Sequence, residues 1–236
     1  MTLIGFIPCR AGSERVRHKN TRPFGGIEGG LIELKLRQLQ RVDEFDKIIV
    51  SSNDAAVLDF AADFSARHDE RVVALPRPEI YGSSTTSMGA FIQDYIAHLS
   101  EEGHLFWTHV THPFTTSKVY ARAIAEYRRR LAEGYDCLVS ATRIQKFLWR
   151  NGAPFNYDNT LERWPRSQDL EPVFEINHAI YAIPFATMRK VRDRVGERPY
   201  FFEMVDAEAL DLDWEDQFQL MEEIARARQS RGESLL

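Results

Sequence analysis

The sequence predicts a three-layer α/β protein built on a doubly wound, mostly parallel sheet. Short apolar runs alternate with amphipathic stretches along the chain, which is typical of successive strand–helix–strand units. Val119, Ala123, Ile124, Tyr127 and Leu131 have the spacing of a helix that packs one face on a sheet. A chain of 236 residues is long enough to form one such domain with a sizeable core.

The apolar runs predict the strands and the amphipathic stretches predict the helices. In chain order, the strands are residues 3–8, 47–52, 71–75, 105–110, 138–141, 179–183 and 209–212. The helices are residues 31–42, 55–66, 84–99, 117–132, 185–191 and 214–230. Because the alternation continues from end to end, we expect a single domain over residues 1–236.

One segment, residues 142–177, interrupts the alternation. It is rich in prolines and in aromatic residues such as Phe147, Trp149 and Trp164. An irregular segment of this length is unusual as a plain loop inside a domain, and aromatic residues interspersed with arginine are enriched in subunit contacts. We expect the segment to contact a second copy of the chain in a homodimer and to frame a substrate pocket. A lid packed on the chain's own sheet is the alternative.

Composition and charge narrow the class of protein. The chain carries 30 basic and 35 acidic residues, a net charge of −5, which disfavours bulk electrostatic binding of nucleic acid or of an anionic membrane. Cys9 and Cys137 are too few for a disulfide framework, and neither an export leader nor a long apolar span is evident. We therefore expect a cytoplasmic protein without nucleic-acid or membrane partners.

The segment after the first strand is the most informative part of the sequence. A buried strand leads into a loop of small and cationic residues, namely Arg10, Ala11, Gly12, Ser13, Arg15, Lys19 and Asn20. Ligands bind outside the carboxyl ends of strands in open α/β sheets, and backbone N–H groups with Arg and Lys side chains suit phosphate oxygens. The spacing matches neither a P-loop nor a dinucleotide-binding motif. We predict a site for a small anionic ligand; a solvated basic turn is the alternative.

A pair of carboxylates near the end of the chain forms the second candidate site. Asp211 and Asp213 end the last predicted strand, and residues two apart on a strand share one face. Two like charges so placed need a cation beside them, and Mg²⁺ bridging to substrate phosphates would supply it. The alternative is local, with Asp213 capping the next helix and Asp216 completing a capping box.

Two weaker signals follow the third and fourth predicted strands. Arg77 precedes a run of hydroxyl residues at 83–87, which either caps a helix or offers polar donors to the edge of a base. His109, Thr111 and His112 follow the fourth strand at the same edge of the sheet. Because no further ligand is nearby, we expect them to line a pocket rather than to bind a metal.

Taken together, these motifs resemble the acylneuraminate cytidylyltransferases, the CMP-sialic acid synthetase family. Residues 7–20 read Ile-Pro-Cys-Arg-Ala-Gly-Ser-x-Arg-x-x-x-Lys-Asn, which looks like the family's signature. The likeness continues in residues 48–54, in Arg77 with the run 83–87, in residues 111–114 and 177–181, and in Asp211-Leu212-Asp213, which matches the family's metal-binding D-x-D. It spans nearly the whole chain and implies a fold of the nucleotide-diphospho-sugar transferase type.

The resemblance implies roles for the matching residues. The triphosphate would be held by Arg10, Ser13, Arg15 and Lys19, in a nucleotide loop that includes Ala11 and Gly12, with Asn20 near the ribose or base. Cytosine would be selected by Arg77 and Ser87, and Mg²⁺ would be bound by Asp211 and Asp213. The sugar would be contacted by His109, Thr111, Arg166 and Asn177. The catalytic residues would be Arg10, Lys19 and Asp211.

The implied reaction joins CTP to an acidic keto-sugar. The anomeric hydroxyl of a 2-keto-3-deoxy sugar acid, a sialic-acid-like nonulosonate, would attack the α-phosphate of CTP and release pyrophosphate. Such a transfer depends mainly on positioning and charge neutralisation, so the lack of an evident protein nucleophile is no obstacle.

The sequence departs from the family pattern mainly on the sugar side. Cys9 stands where the family has alanine, His109 where it has glutamine and His178 where it has glycine, while Glu175 lies near an arginine of some members. The acceptor therefore stays open, with a 3-deoxy-octulosonate as an alternative. A metal-dependent D-x-D glycosyltransferase and a non-catalytic nucleotide-binding paralogue are two further possible functions.

Overall fold

A computed structural model describes residues 1–13, 15–83 and 85–236. Its strands are β1 (Leu3–Cys9), β2 (Lys47–Ser52), β3 (Val72–Pro76), β4 (His104–Thr108), β5 (Cys137–Ile144), β6 (Trp149–Arg150), β7 (Ala153–Pro154), β8 (Val173–Pro184) and β9 (Pro199–Glu203). Its α-helices are α1 (Gly30–Gln40), α2 (Ala55–Arg67), α3 (Glu79–Gly82), α4 (Met88–Asp94), α5 (Ser117–Ala132), α6 (Phe185–Val191) and α7 (Glu215–Ser230). Short 3₁₀ turns occur at Ile96–His98 and Ser167–Asp169.

The central sheet has seven strands in the order β3-β2-β1-β4-β8-β5-β9. All neighbouring pairs are parallel except those of β8, which runs antiparallel to both β4 and β5. The predicted doubly wound, mostly parallel sheet is therefore confirmed. The carboxyl ends of β1, β2 and β4 and the region where β8 begins meet at one edge of this sheet.

Helices cover both faces of the sheet, because alternate residues of each strand face opposite sides. On β1, Leu3 and Ile7 belong to the larger apolar cluster, which α1, α2, α5 and α7 complete. Ile4 and Phe6 belong to the second cluster, on the side of α4 and α6. The two clusters account for the three layers. Within the described ranges, no helix combines the length and the apolar character needed to cross a bilayer.

Two predicted elements are wrong. Residues 209–212 form no strand, and the edge strand is instead Pro199–Glu203, which pairs with β5 from Cys137 to Ala141. The predicted helix 84–99 begins at Ser84, which lies outside the described residues, and the helix that the structure has there starts at Met88 and ends at Asp94. The apolar pattern at 209–212 does mark a segment that is partly buried. The segment is a loop held by a hydrogen bond from Leu212 to Thr111, however, and it does not pair with a strand of the sheet.

The segment 142–177 is more regular than its composition suggested. β5 continues to Ile144 and β8 begins at Val173, so the two strands extend into the segment from both sides. Between them lies the small hairpin of β6 and β7. The side chain of Asn156 holds the segment together, since it accepts from the Leu148 N–H and donates to the Lys146 and Glu171 carbonyls.

Candidate functional site

A cavity of about 650 Å³ opens at the carboxyl edge of the sheet. Ligands in open α/β sheets occupy this position. Ten of the sequence-predicted site residues line it, namely Arg10, Ser13, Arg15, Lys19, Asn20, Arg77, His109, Thr111, Asp211 and Asp213. Ala11, Gly12, Ser87, Arg166 and Asn177 do not line it.

The loop after β1 is shaped by backbone geometry and by one asparagine. Gly12 has a φ of +73°, a left-handed conformation that glycine adopts without a steric penalty. The Ala11 N–H donates to the Asn53 side chain (2.9 Å), which in turn donates to Glu79 (3.2 Å). The loop after β1 is thus tied to the ends of β2 and β3. Arg10 is exposed on this frame and lines the cavity.

Two cations of the same loop pair with Asp213. The Arg15 guanidinium lies 3.1 Å from Asp213 Oδ1, and its centre is 5.0 Å from the centre of the Trp214 ring. Lys19 Nζ lies 3.6 Å from the same oxygen and donates to the Leu212 carbonyl (3.2 Å). Burial lowers the pKa of Lys19, while Asp213 and Asp211 act in the opposite direction. The like charges of the aspartate pair are thus balanced partly by the protein's own cations.

The Asp211-Leu212-Asp213 segment is an extended loop that two hydrogen bonds hold against its neighbours. The buried Leu212 donates its N–H to the Thr111 carbonyl (2.9 Å) and accepts from Lys19. Both carboxylates line the cavity, although the strand from which we inferred their common face does not exist. The two carboxylates are instead positioned by the loop after β4, through Thr111, and by the loop after β1, through Lys19.

The local alternative for Asp213 as a helix cap is wrong. The residue before α7 is Trp214, and the Asp213 carboxylate is directed to Arg15. The Gln217 side chain instead folds back to the residues before the helix and accepts from the N–H groups of Asp213 (2.7 Å) and Trp214 (2.9 Å). The Asp216 side chain accepts from the adjacent Gln217 N–H.

The Asp211 carboxylate contains a buried oxygen without a hydrogen-bond donor. Within the described part of the chain, Oδ1 of Asp211 accepts no hydrogen bond, and the nitrogen of a basic side chain that lies within 4.0 Å of it is His112 Nδ1 at 3.7 Å. His112 is 1% exposed and donates through Nε2 to the Asn177 carbonyl (2.9 Å), which leaves Nδ1 without a proton in the neutral ring. Burial lowers the pKa of His112 to about 4. A carboxylate in this state is suited to an added cation.

Arg77 forms a rigid polar wall at another side of the cavity. Only 7% of it is exposed, because its guanidinium donates to the Ser51 hydroxyl and carbonyl and lies 4.5 Å over the Phe91 ring. Burial lowers the pKa of Arg77 from its usual range. A guanidinium held in this way presents its remaining N–H groups in a fixed direction.

The hydroxyl run at 83–87 is divided between two roles. Ser83 and Thr86 line the cavity, whereas Ser84 lies outside the described residues. The Ser87 hydroxyl accepts from the Ala90 N–H (3.1 Å) and so begins α4 as its cap. For Ser87, the helix-capping alternative describes the contact that the structure has.

Rings and one arginine form a separate part of the lining, which we call the ring wall (Trp107, His109, His178 and Arg194). Burial, followed by the nearby His112 and Arg194, holds the pKa of His109 well below its usual range. The rings of His109 and His112 are 6.4 Å apart. Among residues 1–13, 15–83 and 85–236, no group of three or more His, Cys, Asp or Glu residues is arranged to hold a metal unaided.

A bulge in β8 presents His178 at the cavity. Between the pairs Val139–Tyr181 and Ala141–Ile176, one residue of β5 faces four of β8. His178 sits in this bulge with a φ of +62°, which costs a non-glycine residue free energy. Asn177 stabilises the bulge, because its side chain accepts from the Ser140 hydroxyl (2.6 Å) and donates to Thr142 (3.2 Å).

Arg194 is the site residue that the sequence reasoning missed. It follows α6 in a turn that the Asp193 side chain holds by accepting from the Val195 N–H (3.2 Å). Its guanidinium lies 4.1 Å over the Tyr181 ring and 4.8 Å over the Trp107 ring. A pair of charged residues between a helix and a strand resembles ordinary surface sequence, so the sequence contains no signal that places Arg194 at the cavity.

Two residues that the sequence associates with the sugar side of the site lie away from the cavity. Arg166 is exposed and pairs with Asp169 (2.7 Å) within the segment 142–177. Glu175 is exposed on β8 and does not line the cavity. In the single chain, neither side chain is brought to the site.

A buried lysine of α1 forms a hydrogen bond to the loop after β4. Lys35 is fully buried on α1 and donates to the His112 carbonyl (3.0 Å) and the Tyr120 hydroxyl (2.5 Å). Burial holds the pKa of Lys35 well below its usual range. Tyr120 also contacts the Thr108 hydroxyl (2.8 Å), so the network extends from α5 to the end of β4.

Comparison with known proteins gives a family and a fold. A family model described as cytidylyltransferase matches residues 4–229. No curated protein sequence matches the chain significantly. A solved structure of 4-diphosphocytidyl-2C-methyl-D-erythritol synthase from Anaerococcus prevotii DSM 20548 is similar, with a TM-score of 0.66 and 14% identity, over 98% of this chain and 99% of that one. A CMP:2-keto-3-deoxy-manno-octonic acid synthetase complexed with CTP is similar with a TM-score of 0.64 and 14% identity, over 98% of this chain and 100% of that one.

Proposed function

The chain belongs to the cytidylyltransferase family, and from this premise we propose that it transfers CMP from CTP to the anomeric hydroxyl of a 2-keto-3-deoxy sugar acid. Membership makes the chain a nucleotidyltransferase. The acceptor proposed here is a sialic-acid-like nonulosonate, and the reaction depends on Mg²⁺ and releases pyrophosphate. The proposed location is the cytoplasm, which suits the two free, buried cysteines Cys9 and Cys137.

One observation carries the proposal. Three cations of the loop after β1 and two carboxylates of the loop before α7 line the same cavity, and we call them the charged wall (Arg10, Arg15, Lys19, Asp211 and Asp213). A triphosphate needs several positive charges, and a phosphate-bound divalent cation needs carboxylate oxygens. The charged wall offers both within one site of about 650 Å³.

The donors of the charged wall fit Mg²⁺. The orphaned, buried Oδ1 of Asp211 needs a positive partner, and Mg²⁺ takes one or two protein carboxylates together with phosphate oxygens and water. Asp211 and Asp213 would hold the ion. When bound, Mg²⁺ would neutralise negative charge on the phosphate oxygens.

The chain's own residues then perform the remaining work. Arg15 and Lys19, now paired with Asp213, would exchange that carboxylate for phosphate oxygens as the nucleotide enters. Arg10, which is exposed at the cavity, would contact the reacting phosphate. The acceptor oxygen forms a bond to the α-phosphorus, the bond to the pyrophosphate oxygen breaks, and the hydroxyl proton leaves to solvent.

Base selection is proposed for Arg77. Its fixed guanidinium can donate to the O2 and N3 acceptors of cytosine, and its contacts with Ser51 and Phe91 prevent it from turning toward another base. Ser87 contributes indirectly by beginning α4, which carries Phe91. We retain Thr111 and His109 as sugar contacts because both line the cavity.

The homodimer is part of the proposal. Phe174 of β8 and Phe201 of β9 stack at 5.6 Å, and each is more than a third exposed, as is Ile176 beside them. Exposed aromatic residues of this kind are enriched in subunit contacts. Light scattering should give twice the mass of the chain, and Phe201→Asp should give the monomer; a monomeric wild type would contradict this part.

Pyrophosphate release tests the proposal. The purified protein is incubated with Mg²⁺ and each of CTP, UTP, ATP and GTP, with N-acetylneuraminate or 3-deoxy-manno-octulosonate as acceptor. We expect release with CTP and one of the acids, and none without an acid. CTP binding without pyrophosphate release with any acid would favour the non-catalytic paralogue. In a parallel incubation with a nucleotide sugar, turnover of that sugar would favour the glycosyltransferase.

A further inference from the structure

The ring wall holds a cation that forms no ion pair with a carboxylate of the described residues. Arg194 lies at the cavity, yet no carboxylate approaches within 4.0 Å of its guanidinium among the residues that the structure describes. By contrast, Arg15 and Lys19 on the charged wall both pair with Asp213. A partly desolvated cation without a partner is unfavourable, so the site is prepared for an anion that the chain itself does not provide.

The surroundings of Arg194 fix its orientation. Its planar group lies over Tyr181 at 4.1 Å and over Trp107 at 4.8 Å, so aromatic rings support its faces. Asp193 holds the turn, which limits movement of the backbone beneath. A guanidinium supported in this way can offer the N–H groups that do not face His178 to the fork-like contact that carboxylates accept.

Neighbouring donors point to the same kind of ligand. Nδ1 of His178 accepts from the Tyr181 hydroxyl (2.6 Å) and faces Arg194 Nη2 (3.5 Å), which can only donate. The proton of the neutral ring is therefore on Nε2, and His178 is one of the residues that line the cavity. The indole N–H of Trp107 is buried, and it has no acceptor among the residues described. Donors in excess of acceptors favour an anionic ligand over a cationic or apolar one.

We propose that Arg194 is the specificity-determining residue that binds the carboxylate of the acceptor, with the His178 Nε2–H as an additional donor beside it. The inference rests on the proposed function, because it assigns the acidic group of the proposed acceptor to one residue. It also explains how a chain with Glu175 and His178 on β8 still accommodates an acid: Glu175 lies outside the cavity, and the cation comes from the turn after α6.

The test compares acids with their methyl esters. Binding of N-acetylneuraminate, 3-deoxy-manno-octulosonate and the two esters is measured by calorimetry on the CTP-loaded protein in EDTA, where no turnover occurs. We expect the wild type to prefer at least one acid over its ester by about thirtyfold or more. Arg194→Gln should lose that preference while its CTP affinity stays within twofold, and Arg194→Lys should be intermediate.

Arg192→Gln is the matched control, since it removes a cation from the same turn, where Arg192 bonds to Gln93 away from the cavity. The inference would be overturned if Arg194→Gln kept the preference of the wild type for the acid over its ester. It would also be overturned if Arg192→Gln lost that preference to the same extent, or if the wild type bound neither acid. If Arg194→Gln is misfolded, it will have lost CTP binding. In that case the preference of Arg194→Lys for the acid over its ester is the measurement that tests the inference. Pyrophosphate release is scored separately, so a protein that binds acids through Arg194 without turnover would contradict only the proposed function.

Discussion

The charged wall and the ring wall hold their charges in different ways. On the charged wall, Arg15 and Lys19 already pair with Asp213 and, in the proposed function, would exchange that partner for a phosphate. On the ring wall, Arg194 lies over the rings of Tyr181 and Trp107 and forms no ion pair with a carboxylate among the residues described. The contrast indicates that the charged wall adapts as a ligand binds, whereas the ring wall is preorganised before its ligand arrives.

The two walls also differ in their relation to the family. The charged wall consists of residues that, by the resemblance to the acylneuraminate cytidylyltransferases, match the motifs of those proteins, including Arg10 and Asp211. By the same resemblance, His109 and His178 of the ring wall depart from those motifs, and Arg194 lies in none of the matching segments. We therefore expect substitutions on the charged wall to affect the transfer of CMP itself and those on the ring wall to affect the choice of acceptor.

The largest effect is expected at the charged wall from Asp211→Asn. This variant removes a carboxylate that would hold Mg²⁺, so kcat should fall by about a thousandfold or more, because the positive charge of the ion at the transferred phosphate is lost. CTP binding in EDTA should stay unchanged, since Oδ1 of Asp211 accepts no hydrogen bond within the described chain. Asp206→Asn, an exposed acid of the preceding turn, is the control. Normal Mg²⁺-dependent rates in Asp211→Asn would exclude a metal role.

Arg10→Ala should lower kcat/KM for CTP by about a hundredfold, because a fixed charge at the reacting phosphate is removed. The exposed Arg10 side chain makes no hydrogen bond within the described residues, so the free energy of unfolding should not change. Arg17→Ala, in the same loop and equally exposed, is the matched control. If stability fell while the rate was preserved, Arg10 would be structural.

Gly82→Ala tests the frame that holds the loop after β1. A Cβ at Gly82 would lie 2.3 Å from Asn53 Nδ2, whereas the nearest neighbour of a Cβ at Gly89 would be 3.8 Å away. Displacing Asn53 breaks its bonds to Ala11 and Glu79, so KM for CTP should rise by about tenfold. Gly89→Ala, inside α4, should leave KM unchanged and stabilise the protein by about 0.5–1 kcal/mol. Equal kinetics for both variants would show that Asn53 does not position the loop.

The smallest effect concerns His109 and appears as a pH dependence of stability. Burial keeps the pKa of His109 well below that of an unfolded histidine, about 6.5. Below pH 6.5 the unfolded chain therefore binds a proton at this residue that the folded chain does not bind. The free energy of unfolding consequently decreases as the pH is lowered. In urea titrations from pH 7.5 to 5.5, His109→Gln should lose less stability than the wild type, by at most about 1.4 kcal/mol per pH unit. Equal losses in the variant and the wild type would contradict a neutral His109 in the folded protein.

Sequence patterns predicted most of the layered architecture but not every element. Residues 47–52 and 117–132 were predicted with the bounds that the structure has, because burial and periodicity are local properties of the chain. Residues 209–212 were misassigned because an apolar alternation indicates burial without indicating what satisfies the backbone. There the Leu212 N–H bonds to Thr111, a contact about a hundred residues away in sequence.

The site shows the same division. Arg10, Lys19 and Asp211 lie in short motifs, so sequence could suggest that they share a site. Arg194 reaches the cavity only because α6 packs beside the sheet and a turn returns the chain across Trp107 and Tyr181. Such a position depends on tertiary packing, which a single sequence does not reveal.

The most direct test is the identity of the phosphorus products. The protein is incubated with CTP, Mg²⁺ and the acid that releases pyrophosphate, and the mixture is followed by ³¹P NMR. We predict a single phosphodiester resonance of a CMP-sugar that grows in equal amount with pyrophosphate as CTP disappears. A pair of coupled diphosphate resonances in the cytidine product, or CTP that remains unchanged while it binds to the protein, would contradict the assignment.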